Sequence, residues 1–228
     1  MKKTVTTLAC AALALLSVAS CSSTTSSDDR SERTTTAASA FPYPPLMFRH
    51  DNAVPLTGKE SAAADLALET KVLKSEMQVH PDDSLISQID SRVSHDQRWT
   101  SDGIRPRQET GQVIYRTVAV SDQPDNRWVV TYCMYNTPGA YSAASDGDLE
   151  LSDPNLHYVP YRSIVALTDE PSATGEKSQT PRLLVVGNAD ADFVQHPDQS
   201  DDLARQTCEP FMPNPFIQQP PAPLPAGK

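Results

Sequence analysis

The side chains with chemistry to offer in this chain are four cysteines, five histidines and three runs of carboxylates. The histidines, His50, His80, His95, His157 and His196, are scattered. Three of them stand beside Asp or Pro (His80-Pro81, His95-Asp96, His196-Pro197), which is loop company. Asp146-Gly147-Asp148-Leu149-Glu150 places a carboxylate at every second residue, as sites for hard cations do. It lacks the central Gly and terminal Glu of a Ca²⁺ loop, so it reads, with Asp190-Ala191-Asp192 and the stretch Asp198 to Asp202, as solvated acidic loop. No Gly-x-Ser-x-Gly elbow exposes a serine nucleophile, and no glycine-rich loop is present to cradle phosphate. No catalytic residue, cofactor or metal ligand is assigned, and a non-enzymatic role is the expectation.

The cysteines say more. Lys2 and Lys3 precede Leu8 to Val18 (LACAALALLSV), an unbroken run of apolar and small residues. This is the charged start and apolar middle of a secretory signal, about half the ~20 apolar residues that span a bilayer. Polar Ser and Thr follow rather than a stop-transfer pattern. Val18-Ala19-Ser20-Cys21 then resembles the lipobox of bacterial lipoproteins: one aliphatic residue, two small ones, then Cys. Small side chains suit a tight protease groove, and the thiol is the nucleophile that takes a diacylglyceryl group. The expectation is removal of residues 1–20 as a signal peptide, lipidation of Cys21, and anchoring to the extracytoplasmic face of the cell membrane. Each buried CH₂ of such an anchor contributes about 0.8 kcal/mol. Which face of which membrane stays open.

Cys10 leaves with the signal, so Cys133 and Cys208 remain. An even pair in an exported chain reads as a disulfide, worth roughly 4 kcal/mol in the chain-entropy model for a loop of this length. No CxxC or HxxxH spacing accompanies the pair to favour zinc.

Loss of Lys2 and Lys3 leaves 17 basic residues against 29 acidic ones, a formal charge of −12 on the mature chain. Such a chain lacks the basic footprint that nucleic acid demands. It also repels anionic lipid, so the acyl chains must do the anchoring. An envelope protein is the expected further partner.

Around the domain lie two polar or proline-rich flanks. Residues 21–45 (SSTTSSDDRSERTTTAASA and neighbours) have little apolar surface to bury and read as a lipidated flexible tether. Such a coil spans roughly 25–30 Å. Residues 210–228 carry seven prolines in 19 residues, which disfavours helix and ladder alike. They read as a loose tail in which Phe211, Met212, Phe216 and Ile217 are apolar enough to pack back.

Residues 46–209 are left as one globular domain. Lys59 to Met77 has helical spacing of Ala62, Leu66, Leu73 and Met77. Asp82 and Asp83 supply cap chemistry for a second helix with Leu85, Ile86, Ile89 and Val93 on one face. Strands follow at Gln112 to Ser121, Arg127 to Tyr135, Tyr158 to Leu167 and Arg182 to Asn188. The first two are joined by the turn residues Gln123-Pro124-Asp125-Asn126 as a hairpin. The second (RWVVTYCMY) is apolar on both faces and therefore central. A short helix runs from Ser200 to Cys208. Helices first, then antiparallel strands, argue α+β: N-terminal helices packed on a curved antiparallel sheet, flanked by disordered tails.

The order of these elements, the strand Trp128-Val129-Val130-Thr131-Tyr132-Cys133 and the late Cys208 resemble small secreted actinobacterial lipoproteins with a nuclear-transport-factor-2-like domain. The resemblance covers about residues 60–209. It implies a strongly bent sheet wrapped around helices, a cone mouth open to small molecules, and a strand Cys paired with a C-terminal Cys. The chain departs from that pattern in lacking a Trp on its last strand and in its long Asn136–Asn155 loop.

On the central strand, Trp128, Val130, Tyr132 and Met134 share one face and are the ligand-pocket candidates. Arg127, Val129, Thr131, Cys133 and Tyr135 share the other. Either set could line a cavity, and filling the core is the ordinary duty of both. Two functional expectations follow: a membrane-anchored surface lipoprotein acting as a binding or envelope-interaction module, or a carrier of a small apolar ligand in a cone-type pocket.

Overall fold

The structure, a computed structural model, describes residues 41–100, 103–189 and 197–225. The signal segment, Cys21, residues 22–40 of the expected tether, His196 and the Asp190-Ala191-Asp192 cluster lie outside the described residues. The fold is α+β. Strand β1 (Met47–Asn52) leads into helices α1 (Gly58–Val79) and α2 (Asp83–Asp90). Strands β2 (Glu109–Gln123), β3 (Arg127–Ala143), β4 (Leu149–Leu151), β5 (Tyr158–Thr168) and β6 (Arg182–Asn188) follow, and helix α3 (Pro197–Cys208) closes the series. The sheet runs β1-β2-β3-β5-β6, with β4 also paired to β3. Every pairing is antiparallel except β1 with β2.

The hairpin forms where turn chemistry placed it. Asp125 and Asn126 take the left-handed conformation (φ 62° and 54°) that these two residue types tolerate. β3 is central, and its period of two separates the faces as expected. Trp128, Val130 and Tyr132 are buried toward α1 in the main core. Cys133 and Tyr135 are buried on the opposite face with Val118 and Cys208. Cys133 and Cys208 are joined by a disulfide, their Cα atoms 5.8 Å apart, which pins the end of α3 to that face.

Three features exceed the sequence reading. β1 is a strand of mostly exposed residues that alternation does not reveal, held by parallel pairing with Gln112 to Thr117. β3 continues through Asn136 to Ala143, so the expected long loop is largely a strand, a turn at Asp146 to Asp148 and β4. The signal was masked because Pro138 and Gly139 read as breakers; Pro138 lies in a bulge between the Gln112–Gly139 and Ile114–Tyr135 pairs, and Gly139 stands at its edge. The proline-rich segment packs back through residues 211–224. Phe211 and Met212 join the second core. Thr137 donates its hydroxyl to the Ile217 carbonyl (2.8 Å), and the Gln219 and Leu224 amides donate to Pro138 and Pro42 carbonyls.

The face of α1 also differs from the periodic reading. Met77 is buried as expected, Leu66 and Leu73 pack half-buried against the core, and Ala62 is exposed; the fully buried residues of the first turns are Ala63, Ala64, Ala67 and Leu68. Alanine is small enough to let the helix axis approach the sheet, which larger side chains at those positions would prevent. In α2, Ile89 and the following Val93 are fully buried, Leu85 and Ile86 pack against them, and the Asp82 carboxylate caps the helix by accepting from the Ser84 amide (2.7 Å).

Candidate functional site

The stripe of α1 that carries Ala64 and Ala67 continues, one and two turns later, into Lys71, Lys74, Ser75 and Gln78. The helix is close-packed where the stripe is alanine. Where it turns polar, space opens between helix and sheet. A cleft of about 840 Å³ lies there. Its inner lining comes from the strands: buried Val113 and Tyr115 of β2, with half-buried Phe48 of β1, Met134 of β3 and Tyr161 of β5 beside them. Its exposed lining is mostly polar, Gln78, Arg107, Gln108, Ser152 and Asp153, with Ala143 and Leu156 among them.

Aromatic rings organise the inner end. Tyr132 and Tyr161 are stacked with centroids 5.6 Å apart and planes 20° off parallel. Tyr115 meets both edge-on at 6.4 Å and stacks on Phe48 at 6.3 Å. The Lys71 ammonium lies 3.9 Å from the Tyr161 centroid, in the range of a cation–π contact. Tyr115 shares a hydrogen bond of 2.7 Å with Ser75, both side chains buried. Burial pushes the Tyr115 phenol up, against the lowering effect of that bond, so it stays protonated.

A smaller space of about 180 Å³ adjoins this one, sharing Lys71, Ser75, Gln78 and Tyr161. Its other walls include Lys74, Trp99, Tyr132, Ser163 and Asn188. The Lys74 ammonium is 5.6 Å from the Trp99 ring centroid, and burial lowers its pKa.

The four pocket candidates divide. Met134 lines the large cleft and Tyr132 the small one, whereas Trp128 and Val130 are core, 5 % and 0 % exposed. The lysines, Tyr115, Tyr161 and Trp99 were missed. The helix offered the signal, since Lys71 and Lys74 interrupt a face whose earlier turns are alanine. The histidines do not enter the cleft: His50, His80, His95 and His157 are exposed, His157 against Phe216 at 5.1 Å. Asp146 and Asp148 form the β3–β4 turn, and among the described residues no group of three His, Cys, Asp or Glu is gathered for a metal ion.

What the arrangement can do is bind. Stacked rings offer flat apolar faces, the polar lining offers hydrogen bonds, and the two lysines offer positive charge. Among the described residues, no helix is long and apolar enough to cross a membrane. No family model, curated protein or solved structure matches the chain.

Proposed function

We propose that the chain is a lipoprotein anchored through Cys21, displaying a non-enzymatic α+β recognition module on the envelope, with the cleft beside α1 as its recognition site. The supporting observation is that the space enclosed by helix and sheet is filled. Trp128, Val130 and Tyr132 occupy it with Ala63, Ala64, Ala67 and Leu68, leaving an open, partly polar cleft at one end. A filled interior suits a module that meets its partner at a surface. The segment Val18-Ala19-Ser20-Cys21 supports the anchor, and the charge of the mature chain keeps the module away from anionic surfaces.

A photo-crosslinking residue placed at Ser152, an exposed residue of the cleft, tests this in the intact envelope. One discrete adduct that disappears when Tyr161 is replaced by Ala is the expected result. Adducts of unchanged pattern in the Tyr161→Ala background contradict it. The cleft's Phe48, Val113, Tyr115 and Met134 favour a second reading, carriage of a small apolar ligand. Native mass spectrometry of protein from its own host, showing a retained small molecule, would favour that reading.

A further inference from the structure

We propose that the proline-rich end of the chain is a second interaction surface: a polyproline II ridge of Ile217, Pro220 and Pro223 that docks in a partner protein's groove lined with aromatic rings. The ridge shares no residue with the cleft beside α1.

Conformation is the first argument. Proline holds φ at about −65° and pushes the residue before it into extended backbone. Pro220, Pro221, Pro223 and Pro225 impose this on residues 219–225, and residues 216–225 carry no helix, strand or turn. Such a run is polyproline II, with about three residues to a turn. Burial repeats with that period. Gln218 and Pro221 are half-buried, whereas Ile217, Pro220 and Pro223, three apart on another face, are exposed. Leu224 beside them is 54 % exposed.

Fixation is the second. Thr137 donates to the Ile217 carbonyl, the Gln219 amide donates to the Pro138 carbonyl, and the Leu224 amide donates to the Pro42 carbonyl. The ridge is therefore held on both sides of Pro220 to Pro223. A segment already ordered in its binding conformation spares the partner the entropic cost of ordering it.

The third is a row of unspent acceptors. Among the described residues, nothing donates to the carbonyls of Pro220, Pro221, Ala222 or Pro223. They stand open to the indole and phenol donors that ring-lined grooves carry. Composition then selects the partner. No charged residue stands between Glu209 and Lys228 in an otherwise acidic chain. Recognition here rests on pyrrolidine rings and Ile217 packing between flat aromatic faces, the way proline-rich segments are read.

A benzophenone-bearing residue in place of Ala222 in the full chain, irradiated in isolated envelopes, tests the inference. One discrete protein adduct is expected, with Trp, Tyr or Phe in the cross-linked peptide read by mass spectrometry. Excess synthetic peptide of residues 216–228 is expected to abolish it, and the same peptide with Ala at 220 and 223 to leave it. In the chain itself, Pro220→Ala with Pro223→Ala is expected to lower the yield about tenfold, the scale of two lost anchor residues, while the circular dichroism spectrum is kept. Ile217→Ala, read in the same way, serves if the double variant fails to fold. The same probe at Gln88, exposed on α2, is expected to give no such adduct. No adduct, an adduct with lipid, glycan or a second copy of this chain, a cross-linked peptide bare of aromatic residues, or an adduct indifferent to the peptide or to the substitutions would each overturn the assignment. The adduct from Ser152 depends on Tyr161 and this one does not, so the two surfaces stand or fall separately.

Discussion

Tyr135 donates its phenolic hydrogen to the backbone carbonyl of Cys208, 2.6 Å away, beside the disulfide that joins Cys208 to Cys133. Strand β3 thus holds the end of α3 twice, once covalently through the residue at 133 and once through the residue two positions on. The Arg116 guanidinium extends the clamp: it donates to the Phe211 carbonyl (3.0 Å) and twice to the Asp51 carboxylate (2.7 Å each).

Removal of the disulfide by Cys133→Ala with Cys208→Ala is expected to cost about 4 kcal/mol, because the bond spans 75 positions of chain. Tyr135→Phe, which leaves the Cys208 carbonyl buried without this donor, is expected to cost about 1–3 kcal/mol. Urea unfolding checks both values. Equal stability of the cysteine-free and wild-type proteins would contradict the clamp.

The pair Ser75 and Tyr115 joins α1 to β2 across the inner end of the cleft. Either single variant, Ser75→Ala or Tyr115→Phe, leaves a buried hydroxyl unpaired and is expected to cost about 1–2 kcal/mol. The double variant is expected to cost less than the sum, as it does for residues in direct contact. A double-mutant cycle that sums without coupling would show that the bond contributes nothing.

Gly111 and Gly139 stand at the bulge, with φ of +102° and +119°. A Cβ on Gly111 would run into the Gly139 carbonyl oxygen, and one on Gly139 would meet the Leu151 side chain at 2.8 Å. Gly111→Ala combines strain with a clash against backbone and is expected to destabilise by about 2–4 kcal/mol. Thermal unfolding measures it; an unchanged Tm would mean that the bulge relaxes freely.

Lys74 carries a pH signature. Its pKa in the folded protein lies below its ordinary value because burial opposes the charge. Between the folded and unfolded values the unfolded chain binds more protons, so this group makes stability rise with pH through the window just below the ordinary lysine range. Among the described residues, the titratable groups that line the smaller space with it are Lys71, Tyr132 and Tyr161. Lys74→Met is expected to flatten that rise and to raise Tm at neutral pH. A lower Tm at neutral pH, or an undiminished rise, contradicts the account of a cation held against its solvation.

How much of this was legible before the structure depends on the residue. The hairpin was plain because Asp125 and Asn126 are turn formers between two β-rich runs. The two faces of β3 were plain because its side chains alternate without interruption from Trp128 to Tyr135. β1 was hidden, since Met47 to Asn52 (MFRHDN) is mostly exposed and has no alternation to find. The seating of α1 was partly legible: Met77 is buried and Leu66 and Leu73 pack against the core, but the closest approach to the sheet is made by Ala63, Ala64 and Ala67, which periodicity of large apolar residues does not mark. The cleft was half-legible: Tyr132 and Met134 sit on the face that lines it and the smaller space beside it, but that smaller space depends on where Trp99 and Tyr161 fall, which spacing along the chain does not encode.

The central claim is that one thiol, Cys21, is fatty-acylated and holds the acidic domain on a membrane. Metabolic labelling with radioactive palmitate, followed by detergent phase partitioning, tests it in a single comparison. Wild-type protein is expected to carry label and enter the detergent phase, and Cys21→Ser protein to lose the label and leave that phase. Cys21→Ser protein that still takes up label and stays with the detergent would contradict the account.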